Sequence, residues 1–180
     1  MEPKDIIDFW FSEHAEDRWF RSTPDFDKEI GARFATLWCA GRQGELSDWE
    51  QTAEGALALV ILLDQFPRNM FRGKPESFAS GTEALNIAAE AIGKGLDQKL
   101  PDSQKIFMYL PYMHSESVID QERSVALFQQ AGLADNLKWA NHHRDIIRRF
   151  GRFPHRNAAL GRESTPEEEA WLASPDGFTP

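Results

Sequence analysis

The sequence predicts an all-α fold. Apolar residues recur at spacings of three and four over long stretches, helix start and stop residues bracket those stretches, and alternation of β-branched residues around hairpin turns is missing. The chain has 180 residues with 41% hydrophobic content, six Trp and thirteen Phe. That is the size of one domain with a large core. The expectation is therefore a single-domain helical bundle or array over residues 1–180, with about eight helices.

The elements follow in order. Glu2, Lys4, Asp5 and Asp8 surround Ile6 and Ile7, which is not the pattern of a signal peptide. The longest uncharged apolar run is far short of a membrane span, so a cytoplasmic protein with no membrane association is expected. Thr23-Pro24 reads as a cap followed by proline at the first helical position, and Phe26, Ile30, Phe34, Leu37 and Trp38 continue an amphipathic helix to Gly41. Within it lies Cys39, the only cysteine. One cysteine excludes an intrachain disulfide and a Cys-based zinc site, and its apolar neighbours predict a small core hydrophobe.

Ser47-Asp48-Trp49-Glu50 has the form of a capping box, and the apolar run Ala56 to Leu63 after it is too long for a typical strand. This predicts a buried helix ending before Pro67. Ser80 and Glu83 form a second such box before Ala84, Leu85, Ile87, Ala88, Ala91 and Ile92, with Gly93 and Gly95 as stops. The two starts are 33 residues apart, a spacing found in helix-pair repeats, although the signature residues of such repeats are missing. Pro101 opens a short segment that Pro111 closes, and Ser115 begins a longer helix to Gly132. A helix from about Asp135 to Phe150 stops at Gly151. Thr165-Pro166-Glu167-Glu168 caps a last helix carrying Trp171 and Leu172.

Three blocks stand out: Leu63-Asp64-Gln65-Phe66-Pro67-Arg68-Asn69-Met70-Phe71-Arg72, Leu110-Pro111-Tyr112-Met113-His114-Ser115-Glu116, and Arg149-Phe150-Gly151-Arg152-Phe153-Pro154-His155-Arg156-Asn157. With Phe9-Trp10-Phe11, Trp19-Phe20, Leu160-Gly161-Arg162 and Ser164 to Glu168, they make the chain resemble the bacterial domain-of-unknown-function family 924 over nearly its whole length. The resemblance implies a single all-α domain with tetratricopeptide-like packing and implies no established activity. Tyr112 departs from the family pattern, which more often has an aliphatic residue there.

Function is sought in polar groups placed among apolar ones. Asp64 follows directly on the apolar run and needs a buried partner, for which Arg68 or an arginine from residues 148–162 is suited. Such a carboxylate is either a structural ion pair or tuned for acid or base work. Gln65 and Asn69 add neutral polar groups at the same helix end. Ser115 and Glu116 read as a cap and a first-turn acid, which leaves His114 unexplained. His114 and Glu116 supply too few ligands for a metal site, so no metal and no cofactor are expected. His143 shares a helix face with Trp139, Ile147 and Phe150 and should point inward, as a satisfied core histidine or a general base. Ser115 or Ser117 with His143 and Asp64 would complete a Ser-His-Asp set, but no nucleophile elbow supports it.

The densest signal is the run Arg148 to Arg162, which carries five arginines and His155 in a chain of net charge −9 and leaves −14 for everything else. Gly151 and Pro154 place Arg152, His155, Arg156 and Asn157 in an irregular turn. Five crowded cations require either the chain's own carboxylates or an anionic ligand. The acidic pI near 5.0 argues against nucleic acid as a partner. The first expectation is a polar cleft of Asp64, Gln65, Arg68, His114, Glu116, His143, Arg152, His155, Arg156 and Asn157 that binds a small phosphate- or carboxylate-bearing metabolite and acts on it by acid/base chemistry. The rival is a helical scaffold whose polar cluster is structural and whose partner is another protein.

Overall fold

The computed structural model describes residues 1–177, and their regular structure is helical throughout, as expected. The trace divides into two compact units, Met1–Arg72 with Glu76–Pro111, and Gly73–Pro75 with Tyr112–Pro180.

The first unit contains α1 (Pro3–Trp10), α2 (Glu13–Glu16), α3 (Pro24–Arg42), α4 (Ala53–Val60), α5 (Phe66–Met70), α6 (Gly81–Gly93) and most of α7 (Asp102–His114). α3 begins as its sequence indicates, with Pro24 in the first turn and Thr23 Oγ1 accepting from Phe26 N. Phe26, Ile30, Phe34 and Trp38 are buried along one stripe. Cys39 is exposed, contrary to expectation. It follows Trp38 by one residue, a rotation of about 100° that carries it off the buried stripe.

Ala56 to Leu63 are all buried, so α4 has no solvent face beyond its first turn and serves as the hub of this unit. Its start lies later than the sequence suggests. Ser47–Gln51 forms a single 3₁₀ turn, Thr52 is extended, and Thr52 Oγ1 caps α4 by accepting from Gly55 N at 3.0 Å. That turn brings the Trp49 carbonyl so close to Gly55 that a Cβ there would collide with it. Around the hub, Trp10 makes edge contacts with Phe66 and Phe107 at centroid distances of 5.5 and 5.6 Å. Each such pair adds about 0.5–1.5 kcal/mol beyond the area it buries.

Pro67 does not end the helical path. After Val60 the chain widens into a π turn at Ile61–Gln65 and continues as α5. Proline has no N–H, so in regular α-helix the carbonyl of Leu63, four residues earlier, would lose its donor. Ser80 Oγ donates to Leu63 O at 2.6 Å and accepts from Trp38 Nε1 at 2.9 Å. Ser80 therefore precedes α6 without capping it by its side chain, and the predicted capping box is corrected. The stop at Gly93 to Gly95 is as expected, with Gly95 at φ 68°. α7 likewise passes through Pro111 instead of closing there.

The second unit contains the end of α7, then α8 (Val118–Gln130), α9 (Ala134–Phe150), α10 (Asn157–Leu160) and α11 (Pro166–Leu172). α8 and α9 pack together across a turn at Gly132. α8 is capped by Ser117, not Ser115, through Asp120 N. α9 ends where expected, with Gly151 left-handed at φ 71°. Thr165 and Glu168 form the expected capping box on α11. Ile146, Ile147, Phe153 and Trp171 make a small buried core, with Phe150 and Leu172 packed on it.

Replacing Ser80 by Ala leaves the Leu63 carbonyl and the Trp38 indole N–H buried without this partner. The expected loss is about 2 kcal/mol, read as a lower urea midpoint at unchanged slope.

Candidate functional site

The sequence-selected polar residues fall in both units. In the first are Asp64, Gln65 and Arg68. Asp64 is 2% exposed, as the preceding apolar run demands, and it does meet an arginine. Its Oδ1 accepts from Arg68 Nη2 at 3.3 Å and its Oδ2 from Gln65 Nε2 at 2.5 Å. Asn69 belongs to a different carboxylate, one the sequence reading missed. Asp27 accepts from Ser22 Oγ at 2.6 Å, Asn69 Nδ2 at 2.8 Å and Arg72 Nε at 2.9 Å. Burial opposes ionisation of Asp27, but the hydrogen bonds from Arg72, Ser22 and Asn69 outweigh it and hold the carboxyl below the usual range.

In the second unit lie His114, Glu116, His143, Arg152, His155, Arg156 and Asn157, and here the polar groups interlock. The left-handed Gly151 ends α9 and sends Phe153 into the core, after which Pro154–Arg156 make a 3₁₀ turn leading into α10. Glu168, on α11, is 2% exposed and receives Arg152 on both oxygens, from Nε at 2.7 Å and Nη2 at 2.8 Å. It also accepts from Thr165 N at 2.8 Å and Asn157 Nδ2 at 3.3 Å. With the Arg152 hydrogen bond as the largest cause, the Glu168 carboxyl falls to about 2 from an ordinary 4.5.

Glu116 is not a first-turn acid of α8. It accepts from Phe153 N at 2.8 Å and forms a two-pronged pair with Arg162 at 2.8 and 3.0 Å. Arg162 also donates to Asn157 Oδ1 at 2.9 Å and Phe153 O at 3.1 Å. Burial would raise the Glu116 pKa, but Arg162, Phe153 N and the charge of Arg156 lower it on balance. Arg149 pairs with Glu167 at 2.9 Å, and Arg148 with Glu122. Arg148, Arg149, Arg152 and Arg162 thus each meet one of the chain's own carboxylates.

Arg156 is 7% exposed, donates from Nη2 to His114 O at 2.8 Å and lies 4.4 Å over the Phe153 ring. Two histidines flank that ring, His143 at 5.6 Å and His155 at 5.5 Å, and His114 is 6.5 Å from His143. The structure therefore brings His114, His143, His155 and Arg156 together around Phe153. His143 Nδ1 meets the Trp139 carbonyl at 2.8 Å, and since a carbonyl only accepts, Nδ1 carries the proton and Nε2 the lone pair. Burial, aided by the charges of His114, His142 and His155, pushes the His143 pKa down to about 3. Trp139, expected on the same inner face, is 56% exposed. The buried stripe of α9 runs through Ala140 and Ile147, three residues before and four after His143, so Trp139 is turned outward.

The Ser-His-Asp alternative finds its serines engaged elsewhere. Ser115 Oγ donates to Asp120 Oδ2 at 2.6 Å, and Ser117 Oγ caps α8. No group of three or more His, Cys, Asp or Glu side chains among the described residues is placed to hold a metal ion. Among them, too, no helix is long and apolar enough to cross a membrane.

Residues 6–176 match the family model described as bacterial protein of unknown function (DUF924). The chain belongs to this family. A solved structure, the protein of unknown function ATU0120 from Agrobacterium tumefaciens, is 44% identical to this DUF924 chain with a TM-score of 0.90. The alignment covers 95% of this chain and 96% of that one. No curated protein matches the chain.

Two outcomes are expected. Asp64→Ala strips Arg68 of its buried partner and should cost about 3 kcal/mol in chemical denaturation; a melt equal to wild type would show that the pair is not holding α5. For Glu168, the folded pKa of about 2 lies below the ordinary 4.5. Its contribution is then complete above that ordinary value and is lost as pH falls towards the folded one. Wild type should lose melting temperature across this acid window, whereas Glu168→Gln, already destabilised at neutral pH, should show a flatter acid limb in calorimetry.

Proposed function

We propose that the second unit of this DUF924 protein binds a small anionic metabolite, carrying phosphate or carboxylate, at the histidine and arginine cluster and moves a proton on it. The observation that carries this reading is the convergence of His114, His143 and His155 with Arg156 around Phe153. Arg156 supplies a fixed, always charged donor for the anion, its direction set by the His114 carbonyl and the Phe153 ring. His143, neutral at physiological pH, is the group this reading assigns to accept the proton, and burial that disfavours its charged form makes it a weak base. This reading assigns the return of the proton to His114, 6.5 Å from His143, or to His155, beside the same Phe153 ring. Glu116, Arg152, Asn157, Arg162 and Glu168 form the frame that fixes this turn. Asp64, Gln65 and Arg68 are left out of this reading and are assigned a structural ion pair in the other unit.

A second reading, a helical scaffold that binds another protein, draws on the pairing of Arg148, Arg149, Arg152 and Arg162 with the chain's own carboxylates. Internal neutralisation of that kind is what a purely structural cluster requires.

Melting curves across phosphate concentrations at constant ionic strength separate the two. On the first reading, phosphate at a hundredfold excess over its dissociation constant stabilises wild type by about 2.7 kcal/mol, and both Arg156→Ala and His143→Gln lose that gain. On the second, wild type shows no anion-dependent shift, and Arg156→Ala is equally destabilised with or without phosphate.

A further inference from the structure

A helix leaves its final carbonyls without intrahelical donors, and α7 ends at His114, with the chain turning away through Ser115 to Ser117 before α8 begins. Ser115 N reaches back to Tyr112 O at 3.3 Å. The next three carbonyls are met by side chains. Gln121 Nε2 donates to Met113 O and to Ser115 O at 2.7 Å each, and Arg156 Nη2 donates to His114 O at 2.8 Å. All of these groups belong to the second unit.

The bonds from Gln121 bracket one peptide group. Met113 O lies in the peptide plane that enters His114, Ser115 O lies in the plane that leaves Ser115, and His114 O lies in the plane between them. Peptide planes are rigid and only φ and ψ are soft, so holding the two outer planes restricts the middle one. The same restraint acts on the His114 Cα, and with it on the direction of the imidazole, whose ring centre is 6.5 Å from that of His143.

Gln121 is suited to this work by its burial and its donors. It is 0% exposed, and both N–H groups of its amide are used in the two short bonds, while Oε1 accepts no hydrogen bond among the described residues. An ionised glutamate in its place would set a carboxylate oxygen against two carbonyls. An apolar residue of the same length would leave both carbonyls without this donor. We propose that Gln121 is a positioning residue of the histidine and arginine cluster, which fixes the backbone on both sides of the His114–Ser115 peptide and so sets the His114 imidazole and the carbonyl that directs Arg156. This role rests on the anion-binding and proton-transfer reading given above, and Gln121 itself touches no reacting group in it.

The full chain carrying Gln121→Met, which keeps the length of the side chain and has no donor, is compared with wild type and with Leu127→Ala. The latter loosens α8 at a buried apolar position and removes no hydrogen bond from the turn. Imidazole ¹H–¹³C spectra at one neutral pH report His114, with His14 of the other unit as reference. Gln121→Met should shift the His114 signal and leave that of His14 in place, and Leu127→Ala should leave both. Phosphate binding, followed by melting at constant ionic strength, should weaken about tenfold in Gln121→Met, equivalent to the loss of one charge-assisted hydrogen bond, and stay as in wild type in Leu127→Ala. If Gln121→Met does not fold, Gln121→Asn, whose amide is withdrawn by one methylene, is expected to give the same pattern. A His114 signal at the wild-type position, an equal shift in Leu127→Ala, or unchanged phosphate affinity would overturn the proposal. Absence of any phosphate response in wild type instead removes the anion-binding reading, and the His114 spectra still decide whether Gln121 sets that residue.

Discussion

Burying an arginine-rich turn is possible only if each guanidinium arrives with its charge answered, and two glutamates meet that requirement in the second unit. Glu168 takes Arg152 on both oxygens, and Glu116 takes Arg162 in the same way. Each carboxylate then reaches further. Glu168 closes the first turn of α11 through Thr165 N, and Glu116 fixes the backbone at Phe153 N. Removing either would leave a cation without compensation and a backbone donor without an acceptor at once, which is why the placement of Phe153, and of the imidazoles around it, rests on these ion pairs more than on apolar burial. The apolar cluster that Phe153 joins is small, with Ile146, Ile147 and Trp171 as its other buried members among the described residues.

The first unit solves a different problem, that of interrupted helices. Pro67 lies inside the helical path, and the cost of its missing N–H is met by the π turn before it and by Ser80 Oγ on the Leu63 carbonyl. In the second unit, where α7 ends, Gln121 Nε2 donates at 2.7 Å each to Met113 O, in the last turn, and to Ser115 O, just past it, so a side chain from α8 closes the end of the helix that carries His114. In both places an amide or hydroxyl from a distant segment takes over the work of a backbone donor.

This explains what could be read from the sequence. Thr23, Gly151 and Thr165 were legible as boundaries because the groups they satisfy lie within four residues of them. Ser47, Ser80 and Ser115 carry the same local signal but do not cap: a better placed Thr52 or Ser117 follows, or, for Ser80, a buried indole and a freed carbonyl compete for the hydroxyl. Pro67 and Pro111 read as breaks because proline lacks an N–H, yet the helical path continues through both, and at Pro67 the Ser80 hydroxyl and a π turn offset the penalty. The buried α4 was legible from its unbroken apolar run; the exposure of Cys39 and Trp139 was not, since an apolar neighbour along the chain says nothing about a rotation of about 100° per residue.

The candidate site divides along the same line. That Asp64 would be buried and paired was readable, because an apolar run delivered it and Arg68 lies one turn on. That Glu168 would be the partner of Arg152 was not, since its capping role already accounted for it and a carboxylate has oxygens enough for both. The arginine run therefore holds two kinds of residue under one sequence signal. Arg152, committed to Glu168 through both of its prongs, contributes shape. Arg156, set by a carbonyl and a ring beside a neutral histidine, contributes a directed positive charge at the point where the imidazoles meet. A charge count along the chain treats these arginines as equivalent, and only the identity of the group each one faces separates Arg152, paired with a carboxylate, from Arg156, set against a carbonyl and a ring.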